Sequence, residues 1–267
     1  MEKETVRDRF WLFASRAHDD DVFLGKPDGR LSWWSRITPG EGAHMLGVSN
    51  MMMVASDGIP VPFSMDAYGY MESFCRMKRV LWSVTGSGAW RNGNEEEWIC
   101  RLAEKYPNIR GAYLDDMFGW EGGTEEVYAA QLKEIRQRLD KCGRPMEIYA
   151  TCYIKDVEKY SPALYDDIDV LTIWCMDDIP HIIDNFEKYE KLLPNKRKML
   201  GIYFYDYKHK APVSDEIMKL QCETGLRWLH EGRIEGMVFL TNCVMGLGLS
   251  SEYWLRDWID QVGDQEL

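Results

Sequence analysis

The sequence lacks the spacings by which proteins usually bind metals or build disulfide frameworks. Its seven cysteines and five histidines are scattered, with no Cys-x-x-Cys pair and no His-x-His or His-Glu-x-x-His spacing. Such spacings are typical of zinc sites, and regularly spaced cysteines are typical of small disulfide-bonded domains. We therefore expect no metal, no cofactor, and thiols that are reduced and mostly buried.

Long apolar runs and an excess of positive charge are also absent. No run approaches the roughly 20 apolar residues of a membrane-spanning helix, and the first residues lack the basic and then apolar pattern of a signal peptide. The formal net charge of -12 disfavours nucleic acid and anionic lipid as partners. We expect a cytoplasmic protein with a neutral ligand, and the sequence does not indicate its oligomeric state.

Strand-like and helix-like segments alternate along the 267 residues. The length is close to the roughly 250 residues of a typical (β/α)8 barrel. Strict alternation favours this closed barrel over an open doubly wound sheet. The sequence therefore predicts an α/β fold, one (β/α)8 TIM barrel domain over residues 1–267. The predicted strands are 10–15, 51–55, 80–85, a fourth ending at the acidic pair 115–116, 146–153, 169–176, 198–205 and 236–241. Predicted helices begin near residue 38 and span 64–78, 94–106, 124–142, part of 157–165, 179–193, 214–231 and 250–262.

The fourth predicted strand ends in two adjacent carboxylates, Asp115 and Asp116. Barrel enzymes carry their chemistry in the loops that follow the strands. Strand alternation directs Tyr113 and Asp115 into the barrel and leaves Asp116 at its lip. Asp206 follows strand seven, so we predict that it acts with Asp115 or Asp116 as a catalytic pair. A role in capping a turn or pairing with an arginine is the alternative for either member of the adjacent pair.

Tryptophan is abundant, with 11 residues, and five of them fall on predicted rim loops or strand ends: Trp33, Trp34, Trp90, Trp120 and Trp174. The apolar faces of sugars stack on such rings, while sugar hydroxyls bind amides, carboxylates and other polar groups. We therefore predict a neutral carbohydrate ligand. The predicted substrate-binding residues are Arg16, His18, Trp90, Trp120, Tyr153, Trp174, Tyr205 and Asn242.

Acids after strands four and seven, together with aromatic rim loops, resemble the (β/α)8 glycoside hydrolases. The resemblance covers the whole chain as architecture and implies hydrolysis of a glycosidic bond. The motifs differ from familiar patterns of that group. Leu114-Asp115-Asp116 replaces the Asn-Glu of the large retaining clan, Asp206 stands where that clan has Glu, and the Asp-x-x-Asp-x-Asp-x-Glu run of chitinases is absent. The sugar, the linkage, and retention or inversion of configuration stay open.

A Gly-rich turn, residues 245–251, precedes the last predicted helix and supports a rival interpretation. Many barrels bind phosphate at this place through backbone N–H groups. The turn thus suggests a phosphosugar isomerase or epimerase, although it contains no lysine or arginine. A barrel that binds sugar without catalysis is the third alternative.

Overall fold

Eight parallel strands pair in chain order around a closed barrel, as the alternating pattern predicts. The computed structural model describes residues 3–19, 35–119, 123–176 and 179–267. The first and last barrel strands pair with each other from Phe10 opposite Met237 to Phe13 opposite Leu240, which completes the ring. The strands are β1 (Phe10–Ala14), β2 (Asn50–Met53), β3 (Arg79–Thr85), β4 (Ile109–Leu114), β5 (Glu147–Tyr153), β6 (Val170–Trp174), β7 (Arg197–Tyr203) and β8 (Met237–Leu240).

Helices follow the strands, and the predicted caps explain where several of them begin. Thr38 accepts a hydrogen bond from the N–H of Glu41, whose carboxylate accepts one from the N–H of Thr38. Ser64, Thr124 and Ser214 also cap helices through their hydroxyl oxygens. The helices of the described residues are α1 (Pro39–Leu46), α2 (Met65–Ser73), α3 (Glu95–Lys105), α4 (Glu125–Leu139), α5 (Ile154–Lys159), α6 (Ile182–Leu192), α7 (Asp215–His230) and α8 (Ser250–Val262). In this part of the chain no helix combines the length and apolar character needed to cross a membrane.

Aromatic side chains fill the interior of the barrel. The ring of Phe13 on β1 lies 5.8 Å from that of Tyr113 on β4 and 5.9 Å from that of Trp174 on β6. These strands are not neighbours, so the three rings meet across the barrel. Gly201 on β7 makes room for them, because a Cβ there would lie 2.1 Å from the Trp174 ring. The rings form an apolar layer directly beneath the C-terminal ends of the strands.

Asn242 ties the first and last strands together just beyond their paired residues. Its side-chain amide donates to the carbonyls of Ser15 and Ile37, and its carbonyl oxygen accepts from the N–H of Ser15 at 3.0 Å. The side chain is fully buried. Asn242 therefore holds backbone around the closing seam and is not positioned as the substrate-binding residue predicted from the sequence.

Two cysteines form a disulfide, which corrects the expectation that all seven are reduced. Cys100 on α3 pairs with Cys142, which follows α4, across a separation of 42 residues. The other five cysteines lie outside this disulfide: Cys75 is exposed, whereas Cys152, Cys175, Cys222 and Cys243 are buried. No local spacing marks the pair, because the packing of α3 beside α4 brings the two residues together.

Breaking the disulfide should destabilise the protein. A closed loop of this length gives a loss of about 4 kcal/mol in the free energy of unfolding by the chain-entropy model. Urea unfolding of the wild type, with and without reductant, measures the change, and Cys100→Ser should reproduce it. The variant Cys75→Ser, which alters only an exposed free thiol, is the control. An identical urea midpoint with and without reductant would contradict the disulfide.

Replacing Asn242 should weaken the seam between β1 and β8. Asn242→Ala leaves the N–H of Ser15 and two carbonyls without this partner, and each buried unpaired group costs about 1–3 kcal/mol. We expect the free energy of unfolding to fall by about 3 kcal/mol or more. Asn195→Ala, at an exposed asparagine, is the matched control and should change stability by less than about 0.5 kcal/mol. Equal stability of the two variants would refute the seam role.

Candidate active site

A cavity of ≈ 260 Å³ opens at the C-terminal ends of the barrel strands. Each of the eight strands, or the loop that follows it, contributes at least one lining residue. The lining consists of Phe13, Ser15, Ser56, Ser87, Asp115, Asp116, Thr151, Tyr153, Trp174, Met176, Tyr203, Tyr207 and Leu240. It therefore includes four of the predicted site residues: both adjacent aspartates, Tyr153 and Trp174.

Asp115 directly follows β4 and is 4% exposed. One carboxylate oxygen accepts a hydrogen bond from the Thr151 hydroxyl at 2.8 Å, and the other accepts from the Ser87 hydroxyl at 3.1 Å. Burial, and secondly the negative charge of Asp116, raise the pKa of Asp115 well above its ordinary value. Asp115 is thus a fixed carboxyl group that favours its protonated form.

Asp116 has a backbone φ of +46°, in the left-handed region that residues other than glycine seldom adopt. This conformation ends the strand alternation, so the side chains of two consecutive residues reach one cavity. The Asp116 carboxylate accepts hydrogen bonds from the Tyr153 hydroxyl at 3.1 Å and from the N–H of Gly88 at 3.3 Å. The loop after β3 and the end of β5 together hold it in place.

Aromatic rings form the rest of the cavity wall. Trp174 is almost fully buried, and its ring lies 5.1 Å from that of Tyr203. The indole N–H of Trp174 is buried without a hydrogen-bond partner among the described residues. Burial raises the pKa values of Tyr153 and Tyr203 well above their usual range, so both phenols remain neutral. The wall can accept the apolar face of a ligand and also hydrogen-bond to its hydroxyl groups.

Asp206 and Tyr205 do not line this cavity, contrary to the sequence prediction. Barrel strand β7 ends at Tyr203, and Tyr205–Asp206 pairs with Ala211–Pro212 in a short antiparallel hairpin. The Asp206 carboxylate accepts from the backbone N–H of His209 and lies 2.7 Å from its Nδ1. Partial burial opposes ionisation, but these hydrogen bonds lower the pKa of Asp206. Tyr205 is buried, with its ring against that of Tyr207.

The remaining predicted residues occupy other places. Arg16 forms an ion pair with Asp19, and His18 is exposed in a left-handed conformation; neither lines the cavity. Trp90 is not part of the cavity lining. The predictions for Trp33, Trp34 and Trp120 lie outside the described residues.

Ser87 and Thr151, the partners of Asp115, were not among the predicted site residues. Ser87 lies two residues beyond β3, and Thr151 lies near the end of β5. Their proximity to strand ends was the available signal, but serine and threonine are common there. Within the described residues, no group of three or more His, Cys, Asp or Glu side chains could hold a metal ion.

The Gly-rich turn before α8 binds a carboxylate of the protein itself. The N–H of Gly246 donates to Glu252 at 2.8 Å, and Glu252 is buried in the first turn of α8. Burial raises the pKa of Glu252, while the hydrogen bond from Gly246 opposes this change. A phosphate bound here would have to displace this carboxylate.

No protein-family model and no curated protein matches the sequence, but solved structures match the fold. The GH99 endo-α-mannosidase from Bacteroides thetaiotaomicron gives a TM-score of 0.62 at 9% identity, covering 97% of this chain and 98% of that chain. A family 18 chitinase from Crocus vernus gives 0.54 at 11% identity, covering 94% and 98%. The PgaB glycoside hydrolase domain from Bordetella bronchiseptica gives 0.54 at 10% identity, covering 93% and 98%. At this identity the likeness shows the fold alone: the chain is a (β/α)8 barrel that resembles glycoside hydrolases in architecture.

Proposed function

We propose that the protein hydrolyses a glycosidic bond in a neutral carbohydrate, with Asp115 and Asp116 as its two carboxyl groups. The observation that carries the proposal is that both carboxyl groups line one aromatic-walled cavity at the C-terminal ends of the strands. Glycosidic cleavage uses one protonated carboxyl to assist the leaving oxygen and one ionised carboxylate to attack or to activate water. Adjacent acids in unequal surroundings can divide these roles.

The surroundings of the two acids suggest which one carries the proton. Burial and the neighbouring charge raise the pKa of Asp115. Asp116 accepts from the Tyr153 O–H and the Gly88 N–H, and its negative charge is the second cause of the raised pKa of Asp115. We therefore assign Asp115 as the proton donor and Asp116 as the ionised partner, in place of a pair that includes Asp206.

The cavity is suited to one sugar ring. Its volume of ≈ 260 Å³ lies just below the range of roughly 300–1,000 Å³ found for drug-sized ligands. Trp174 and Tyr203 contribute aromatic rings to the lining, and Ser15 and Ser56 contribute hydroxyl groups. A neutral ring satisfies these groups without adding a charge near the acidic pair.

The Gly-rich turn before α8 and the disulfide bear on the alternative functions and on the cellular location. The phosphosugar interpretation is disfavoured because Glu252 already takes the N–H of Gly246. The Cys100–Cys142 disulfide is typical of oxidising compartments, so it favours such a location over the cytoplasm expected from the sequence. A sugar-binding barrel without catalysis differs from our proposal in one measurable property, turnover.

Removing either acid should greatly reduce turnover. Asp115→Asn and Asp116→Asn should each lower kcat by at least about 100-fold, because proton transfer and the ionised partner are lost separately. Release of reducing ends from a panel of neutral glycosides measures the rate. Asp206→Asn makes the same chemical change at a rim aspartate outside the cavity and should retain activity. Wild-type rates in both Asp115→Asn and Asp116→Asn would exclude the assignment.

The same variants should differ in the pH dependence of stability. Folding raises the pKa of Asp115. The free energy of unfolding of the wild type therefore falls as the pH rises from the pKa of an unfolded aspartate, about 3.9, through the higher pKa of the folded state. Asp115→Asn should therefore melt increasingly above the wild type over that range, after which the difference becomes constant. Asp206 has a lowered pKa, so Asp206→Asn should be the less stable protein at neutral pH, and its deficit should shrink under acid conditions. Melting curves across pH test both signs, and a falling advantage for Asp115→Asn would contradict the raised pKa.

A further inference from the structure

Trp90 presents a half-exposed indole ring whose position is fixed by its surroundings. The side chain is 53% exposed, although tryptophan is usually well buried. The Trp90 carbonyl accepts a hydrogen bond from the N–H of Gly86 at 2.9 Å. One edge of its ring packs on Gly58, where a Cβ would lie 2.2 Å from the indole Nε1. The ring is therefore held against backbone while much of its surface faces solvent.

The ring also lies next to the cavity that holds the acidic pair. The turns Ser56–Gly58 and Ser87–Ala89 are in contact, and the hydroxyls of Ser56 and Ser87 lie 3.3 Å apart. Both serines line the cavity. Because Trp90 packs on the last residue of one turn and directly follows the other, it lies just outside the cavity on its β2–β3 side.

We propose that Trp90 is a second sugar-binding platform and that the substrate is an oligosaccharide or polysaccharide. This inference rests on the proposed function and specifies its substrate class. The cavity accommodates about one ring, so the adjoining unit of a sugar chain must lie outside it. If the chain leaves the cavity past Ser56 and Ser87, the sugar ring outside the cavity lies on the exposed face of the indole. The apolar face of this sugar ring can stack there and remove exposed aromatic surface from water.

The test compares two kinds of probe: monoglycosyl fluorides, whose leaving group has no ring to stack on Trp90, and short neutral oligosaccharides of the same sugars. Trp90→Ala should lower the ratio of kcat/KM for the oligosaccharide to that for the monoglycosyl fluoride by about tenfold, or about 1.4 kcal/mol. Trp90→Gln gives a second ringless variant, and Trp90→Phe, which keeps an aromatic face, should retain most of the ratio. Met65→Ala, at an 84% exposed apolar residue in the same β2–α2 region, is the control and should leave both rates unchanged. An unchanged ratio in both ringless variants would overturn the platform.

Calorimetric binding of the oligosaccharides to Asp116→Asn, with and without Trp90→Ala, separates this inference from the proposed function. If the wild type hydrolyses no member of the panel, the hydrolase assignment is overturned. Loss of oligosaccharide binding in Trp90→Ala would then still support the platform. If the protein hydrolyses oligosaccharides and replacing Trp90 changes neither binding nor rate, the hydrolase assignment is supported and the platform is overturned. Wild-type protein that neither binds nor cleaves any probe would overturn both.

Discussion

Pairing of β1 with β8 is the constraint on which the candidate site depends. Closing the sheet brings the C-terminal ends of all eight strands to one rim, so residues distant in sequence share a cavity. The same closure packs Phe13, Tyr113 and Trp174 into a layer beneath that cavity. Asp115 lies above this apolar layer, and its burial raises its pKa. The raised pKa of Asp115 is thus a consequence of a closed and well-filled barrel.

The architecture and the position of Asp115 were predictable because both follow from periodic patterns. Alternating segments of ordinary length specify the barrel, and a period of two along β4 directs Asp115 inward. The inward position of Asp116 was not predictable, since it depends on one positive φ and on partners from two other strand ends. The assignment of Tyr205 and Asp206 failed to match the cavity lining because β7 ends at Tyr203, and alternation carries no information beyond a strand's end.

Asn242 and the Cys100–Cys142 pair illustrate a second limit of sequence. The side-chain amide of Asn242 could hydrogen-bond to a sugar hydroxyl as well as to backbone groups. Its backbone partner Ser15 is 227 residues away in the sequence. Only the closed barrel shows that the backbone takes those groups. The disulfide likewise depends on the packing of α3 against α4, which a search for local spacings does not detect. In both cases the residue type was known, but its partner was set by tertiary structure.

The chain buries more than one carboxylate, and the surroundings of these carboxylates differ. Glu96 is paired with Arg91, and Glu252 accepts from the N–H of Gly246 beside α8, so each has a local structural reason. Asp115 accepts hydrogen bonds from two neutral hydroxyl groups, while burial and the negative charge of Asp116 raise its pKa. Asp116, the next residue, also has a strained backbone conformation. Two locally unfavourable features in consecutive residues, both facing the same cavity, support the role in chemistry that we propose for this pair.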